Sequence, residues 1–211
     1  MALVNNNSPQ EGSAKAQTAL LLIDVINDLD FDGGEKLLMH ALPMALNLSV
    51  LKRRAKAAGV PAIYVNDNFG RWRSDFKKLV LHCLEPGTRG RSVVTYLTPE
   101  EDDYFVLKPK HSAFFQTNLE ILLNHLGTTT LIFAGMAAEI CVLFSANDAC
   151  MRDFEIVIPS DCVASEESEW NRQALMLMER VLKAKIMAST EIDFKDTKVI
   201  FPRFSSKSRL D

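Results

Sequence analysis

Features that mark several specialised classes of protein are missing from this chain of 211 residues. Its four cysteines include no Cys-x-x-Cys pair, so we predict free thiols in a reducing cytoplasm rather than a disulfide framework. Its four histidines are scattered without the spacing of metal ligands. No apolar run approaches the ~20 residues that a membrane-spanning helix needs. A net charge of −3 gives no electrostatic reason to expect nucleic acid or a membrane as a partner.

The composition is that of an ordinary globular protein, with 47% hydrophobic and 24% charged residues. The length suits one domain with a substantial core. Residues 1–17 are polar and rich in Asn and Ser, and they lack the basic flank and apolar core of a signal peptide. We therefore predict a flexible amino-terminal segment over residues 1–17, a single domain over residues 18–211, and a cytoplasmic location.

Strand and helix patterns alternate along the chain. Short apolar runs predict strands, and apolar residues at helical spacing predict helices, two of which are ended by Gly59 and Gly127. Residues 85–103 are rich in Pro, Gly and charge, which predicts a long connection. The alternation predicts an α/β fold with a parallel sheet covered on both faces. The predicted strands are residues 19–25, 61–65, 104–108, 129–134, 155–158 and 185–188, and the predicted helices are residues 35–58, 74–84, 118–126, 139–151 and 167–184.

Charged or reactive side chains follow three of these strands. Asp24 ends the first apolar run, Lys108 ends the third, and Cys141 follows the fourth after a glycine break, at the start of a predicted helix. Because open α/β sheets bind ligands at the carboxyl ends of their strands, we expect these side chains to lie at one edge. Together they can make Cys141 a working nucleophile, since Asp24 can accept the thiol proton and Lys108 can stabilise both the carboxylate and the thiolate.

The same residues also have structural interpretations. Cys141 could be a small buried hydrophobe, and Asp24 with Lys108 could be a buried ion pair. An ion pair alone does not require a thiol at this position, so we favour the catalytic interpretation. A helix start and a nearby lysine both stabilise a thiolate, so we expect Cys141 to be the only cysteine with a depressed pKa.

Three motifs resemble those of the isochorismatase-like cysteine hydrolases, a family that includes nicotinamidases and N-carbamoylsarcosine amidases. The similar segments are residues 23–28 (IDVIND), residues 108–114 (KPKHSAF), and residues 135–142 (GMAAEICV) followed by residues 146–149 (ANDA). They occur in the family's order within a stretch from about residue 18 to residue 189.

The resemblance implies a six-stranded parallel sheet in a Rossmann-like three-layer sandwich. It implies that Asp24, Lys108 and Cys141 form a catalytic triad. It also implies a cis peptide bond before Ala137, which turns the amides of Ala137 and Cys141 toward an oxyanion. Finally, it implies a homodimer or homotetramer, and aromatic residues near the loop at residues 69–72 and in the tail at residues 201–204 are consistent with such interfaces.

Departures from the family pattern narrow the expected activity. Ile26 stands where relatives often carry Gln, and Ala138 stands where they often carry Thr. Metal-binding nicotinamidases place an Asp and several His residues after the second strand, whereas residues 66–72 here contain Asp67 but no His. We therefore expect neither a metal nor another cofactor. Isochorismatases that cleave a vinyl ether typically lack the cysteine, which this chain keeps.

Four residues are candidates for binding a small-molecule substrate. Asp67, Arg71 and Trp72 follow the second strand, where Arg71 could bind a carboxylate and Trp72 could form an apolar wall. Alternatively, these three residues do not bind substrate and instead belong to a solvated loop or contact another subunit. Phe114 matches an aromatic position after the family lysine and either lines the pocket or packs in the core.

The sequence therefore predicts a cysteine hydrolase of a small amide, ureido or similar C–N compound, acting through a thioester at Cys141. Two alternatives remain. One is hydrolysis of a vinyl ether with Asp24 as the acid, and the other is a binding protein that keeps the pocket without turnover.

Overall fold

The structure is a computed structural model that describes residues 17–68 and 75–194. Seven strands lie in these ranges, and six of them match predicted strands. The seventh has only two residues and carries no pattern long enough to detect. The strands are β1 (Thr18–Ile23), β2 (Ala62–Asp67), β3 (Tyr104–Lys108), β4 (Thr130–Met136), β5 (Glu155–Pro159), β6 (Val163–Ala164) and β7 (Lys185–Met187).

The helices agree with the prediction except at two places. A short helix lies inside the predicted connection at residues 85–103, where Val93 and Val94 are buried despite the surrounding polar residues. The predicted helix at residues 139–151 begins instead as a π-helical turn, Ala138–Val142, called here the π turn. The α-helices are α1 (Gly34–Ala57), α2 (Phe76–Cys83), α3 (Arg91–Tyr96), α4 (Leu119–Leu126), α5 (Leu143–Cys150) and α6 (Ser168–Leu182).

All strands of the sheet run parallel, in the order β3-β2-β1-β4-β5-β7, and β6 pairs with the end of β4. The central strand β1 pairs with β2 on one side and with β4 on the other. The predicted α/β sandwich with a six-stranded parallel sheet is confirmed, with the two-residue β6 as an addition. Among the described residues, no helix combines the length and the apolar character needed to cross a membrane.

The core has two halves, one on each face of the sheet. Alternate residues of β1 supply both, because successive side chains of a strand point to opposite faces. Leu20 and Leu22 pack with residues of α1, α2 and α3, while Leu21 and Ile23 pack with residues of α4, α5 and α6. The fold is therefore a three-layer sandwich.

The direction of the connections changes at β1. From β1 the chain proceeds outward to β2 and β3, and then returns to place β4 on the opposite side of β1. Such a change of direction leaves a crevice at the carboxyl ends of the two adjacent strands. Asp24 follows β1 directly, and the π turn follows β4, so this crevice contains the candidate site.

Candidate active site

Asp24 is the first residue after β1, and its backbone is unusual. Its φ angle of 51° lies in the left-handed region, which residues other than glycine seldom adopt. The Asp24 amide donates to the carbonyl of Val65, 2.9 Å away, so the residue is still anchored to β2. Its side chain is only 9% exposed, and such a buried carboxylate needs partners.

Lys108 supplies the main partner. It is the last residue of β3, and its side chain is fully buried. Its Nζ lies 2.8 Å from Oδ2 of Asp24, and it donates to Sγ of Cys141 over 3.5 Å. The three side chains whose proximity the sequence predicted therefore meet at one edge of the sheet.

Cys141 is the fourth residue of the π turn. The chain leaves β4 through a cis peptide bond between Met136 and Ala137, which confirms the conformation that the family resemblance implied. The Ala137 carbonyl then accepts from the amides of Ile140 and Val142, both at 3.2 Å. Turns of this kind occur often at functional sites, and here the turn orients the thiol toward Lys108 and Asp24.

A second carboxylate lies beside the ammonium group. The Asp67 amide donates to Oδ1 of Asp24 over 2.7 Å, and Oδ2 of Asp67 lies 3.7 Å from Nζ of Lys108. Asp67 is the last residue of β2, and its register partner on β3 is Lys108. Two carboxylates thus share one lysine.

These contacts shift the pKa values of both charged groups. Burial raises the pKa of Asp24, and the opposing effects of Lys108, the Cys141 thiol and the Asp67 amide do not fully offset it. Burial also opposes the charge on Lys108, but the carboxylate of Asp24, the thiolate form of Cys141 and the carboxylate of Asp67 outweigh that effect and raise the pKa of Lys108. The site therefore holds an ion pair whose carboxylate has a pKa above the ordinary value for aspartate.

The expected depression of the Cys141 pKa is wrong. Burial raises the pKa of the Cys141 thiol, the Asp24 carboxylate raises it further, and Lys108 lowers it only in part. Burial also raises the pKa values of Cys83 and Cys162, each to about 12. The sequence indicated both charged neighbours of the thiol, but not how deeply the thiol is buried. Cys141 therefore favours the thiol form, which hydrogen-bonds Asp24.

Ser145, which sequence reasoning missed, connects the segment after Lys108 to Cys141. Its buried hydroxyl donates to the Cys141 carbonyl over 2.6 Å and accepts from the Ala113 amide over 2.9 Å. In parallel, the Ser112 hydroxyl donates to the Asp148 carboxylate. The segment at residues 108–114 and the segment that contains Cys141 and residues 146–149 are thus joined by hydrogen bonds. Their contact becomes visible only in the folded structure.

A second missed residue is His111. Its Nδ1 lies 3.9 Å from Sγ of Cys141, although its spacing from the other histidines gave no sign of a role. The available signal was its position in the motif at residues 108–114, three residues after Lys108.

Known proteins resemble this chain in sequence and in fold. The model of the isochorismatase domain matches residues 18–191 of the chain. The chain belongs to the isochorismatase family. Within this family of hydrolases, the family protein YaaI of Bacillus subtilis is 42% identical over 179 residues, which cover 85% of this chain and 98% of that protein.

Two relatives of known activity are more distant. The ureidoacrylate amidohydrolase RutB of Pantoea ananatis is 26% identical over 188 residues, covering 77% of this chain and 75% of that protein. The crystal structure of N-carbamoylsarcosine amidase from Thermoplasma acidophilum superposes with a TM-score of 0.64 at 26% identity, covering 84% of this chain and 99% of that chain.

The substrate-binding predictions for this isochorismatase-family hydrolase have different outcomes. Asp67 lies in the site, although its contact with a substrate stays a prediction. Arg71 and Trp72 fall outside the described residues, as do the aromatic residues of the tail. Phe114 is buried, and its ring contacts Phe154 and the guanidinium of Arg152, which agrees with the core-packing alternative. A role of Phe114 in the pocket stays a prediction.

A metal centre would need several donor side chains near one another in the site. Over residues 17–68 and 75–194, no group of three or more His, Cys, Asp or Glu side chains is placed to hold one. Asp67, the residue at the position of a family metal ligand, instead lies beside the Lys108 ammonium. The residues described here therefore do not fit a metal centre.

Proposed function

We propose that this protein is a cysteine hydrolase that cleaves a C–N bond in a small amide or ureido compound through a thioester at Cys141. The observation that carries the proposal is the contact of the Cys141 thiol with both members of a buried ion pair, Asp24 and Lys108. A purely structural ion pair does not need a thiol at its open side. The relatives whose printed names specify ureidoacrylate and N-carbamoylsarcosine support a substrate of this class.

In the first half-reaction, Sγ attacks the carbonyl carbon while the Asp24 carboxylate takes the thiol proton. The raised pKa of Asp24 favours this transfer, because a more basic carboxylate competes better for the proton of a weakly acidic thiol. We assign stabilisation of the oxyanion to the amides of Ala137 and Cys141. Asp24 then gives the proton to the amine nitrogen, the C–N bond breaks, and a thioester remains.

In the second half-reaction, a water molecule attacks the thioester carbonyl and gives one proton to Asp24. The C–S bond breaks, the acid leaves, and Asp24 returns the proton to Sγ. Lys108 keeps its positive charge throughout, since its raised pKa holds the proton, and it offsets negative charge first on the carboxylate and then on the sulfur.

The test is a screen of small amides and ureides with ammonia or amine release as the readout. The wild type should turn over at least one compound, and Cys141→Ala should lose that activity. Cys141→Ser is the matched variant, because it replaces the thiol with a hydroxyl of similar size, and its weaker nucleophile should turn over the compound much more slowly. A covalent adduct of the acyl group on Cys141, seen by mass spectrometry after acid quench, should accompany turnover. Retained activity in Cys141→Ala would contradict the mechanism.

A second candidate is hydrolysis of a vinyl ether with Asp24 as the acid. The raised pKa of Asp24 favours it, because such a carboxyl group can carry a proton at higher pH than usual. Alkylation of Cys141 with iodoacetamide separates the two reactions. It should abolish amide hydrolysis, whereas ether hydrolysis does not require the thiol. A protein with neither activity would be the binding protein that the sequence left open.

A further inference from the structure

His111 lies next to the nucleophile and has no part in the mechanism described above. It is three residues beyond Lys108, its side chain is exposed, and its Nδ1 is 3.9 Å from Sγ of Cys141. The sulfur therefore has two sides. On the buried side are Lys108 and Asp24, with side chains 0% and 9% exposed, and on the solvent side is the imidazole.

The imidazole is held in place by its surroundings. Its ring contacts that of Phe144 with a centroid distance of 5.7 Å and an interplanar angle of 52°. Phe144 is three residues after Cys141, a spacing that puts both on one face of the helix. The residues that follow His111 are fixed by the Ser112 contact with Asp148 and the Ala113 bond to Ser145. His111 is thus positioned over the face that presents the thiol.

This position determines what the imidazole meets during a reaction at sulfur. When a carbonyl carbon bonds to Sγ, its leaving nitrogen must face Asp24, so its other substituent must point away from the buried side, which Lys108 and Asp24 fill. The remaining direction leads toward solvent and past Nδ1. A polar atom on a substituent of that carbon comes within hydrogen-bonding range of His111.

The charges favour one kind of polar atom. The buried Asp24 and the partly exposed Asp67 oppose the single ammonium of Lys108, so an anionic group is kept away from that end of the site and toward the imidazole. An imidazole offers an N–H donor in either protonation state. We propose that His111 is a specificity-determining residue that binds a carboxylate carried by a substituent of the scissile carbonyl. The proposal rests on the proposed function and names the substrate class as carboxylate-bearing amides or ureides.

The first experiment needs no substrate and compares two alkylating reagents on Cys141. Iodoacetate and iodoacetamide both join a carbon to Sγ, but only iodoacetate carries a carboxylate one bond from that carbon. The rates of Cys141 labelling are measured by peptide mapping. In His111→Ala, the ratio of the iodoacetate rate to the iodoacetamide rate should fall about tenfold, the loss expected for a hydrogen bond to a charged group. His111→Gln, which keeps a donor, should restore part of the ratio.

His125→Ala is the matched control, because His125 is an exposed histidine on α4, an element that carries none of Asp24, Lys108 and Cys141. Its ratio should equal that of the wild type. Equal slowing of both reagents in His111→Ala would overturn the proposal, since the imidazole would then act on the thiol itself. An unchanged ratio would also overturn it.

The second experiment uses any amide found in the substrate screen. For a carboxylate-bearing substrate, His111→Ala should raise KM about tenfold with a smaller change in kcat. For the matching substrate with a neutral carboxamide, KM should not change. A lower alkylation ratio without turnover of any amide would leave the role of His111 standing while the proposed function fails. An alkylation ratio equal to that of the wild type, together with intact amide turnover, would overturn the role of His111 and leave the proposed function standing.

Discussion

At the residue scale, the site depends on how a buried ion pair and a thiol share charge. Lys108 neutralises Asp24 at 2.8 Å and contacts Cys141 at 3.5 Å, so its loss would leave a buried carboxylate without a cation. Removing one partner of a buried pair usually costs more than removing both, because the remaining charge stays uncompensated.

Lys108→Met should therefore lower the free energy of unfolding by about 3 kcal/mol, measured by urea denaturation at pH 8. The double variant Asp24→Asn with Lys108→Met should regain part of that loss, because no buried charge remains. Both variants should lack turnover. Equal stability of the single and double variants would show that the pair is not electrostatically coupled.

The pH dependence of turnover should reflect the raised pKa of Asp24. The carboxylate must be deprotonated to accept the thiol proton, so kcat/KM should fall as pH drops through a pKa above the ordinary value of 3.8. Asp67→Asn is the control, because the Asp67 amide that bonds Asp24 remains and the acid limb should stay in place. An acid limb at or below pH 3.8 would contradict the assignment of Asp24 as the base.

At the element scale, β4 must approach β1 closely to bring the π turn to the site. Gly135 has a φ angle of 117°, and a Cβ there would lie 2.1 Å from the carbonyl oxygen of Ile23, the residue before Asp24. Only glycine fits between these strand ends.

Gly135→Ala should lower the free energy of unfolding by about 3 kcal/mol and reduce kcat strongly, because the clash displaces Asp24 from Cys141. Gly59→Ala is a matched control, since Gly59 also has a positive φ angle, 74°, but open space around it. That variant should cost about 1 kcal/mol and leave kcat unchanged. Thermal or urea denaturation and steady-state kinetics measure both effects. Similar losses in the two variants would refute the close approach as the cause.

The end of β2 and the segment after it bear on metal dependence. Asp67 ends β2 between Asn66 and Asn68, and residues 69–74 lie outside the described ranges. Because imidazoles are lacking in this part of the sequence, treatment with a chelator should leave turnover unchanged. Loss of activity on chelation, restored by added zinc or iron, would show that the expectation is wrong.

At the scale of the whole molecule, we expect a homodimer or homotetramer. The aromatic residues of the loop and tail that suggested this lie outside the described residues. Among the residues that the structure does describe, Ile140, Trp170 and Leu177 line an open apolar groove beside the π turn. Exposed apolar patches often mark interfaces. Light scattering behind a sizing column should give a multiple of 23.6 kDa. A monomeric mass with full activity at nanomolar concentration would contradict this expectation.

The sequence alone determined the order of strands and helices, because alternating apolar runs and helical spacing are local properties of the chain. It also located Asp24, Lys108 and Cys141 at strand ends, and a parallel α/β sheet necessarily brings such ends to one edge. The cis bond before Ala137 followed from family resemblance. Helix α3 was missed because its apolar pattern is only a few residues long and lies among turn-forming residues.

Only the tertiary structure decided the electrostatics of the site. The pKa of Cys141 was predicted in the wrong direction because desolvation and the distance to Asp24 depend on packing, which residue types do not specify. The same reason explains why Ser145 and His111 were overlooked, since Ser145 meets Ala113, and His111 meets Cys141, through contacts between separate segments of the chain. Local sequence patterns thus specify which reactive groups reach the crevice, while burial and three-dimensional neighbours set their charge and their partners.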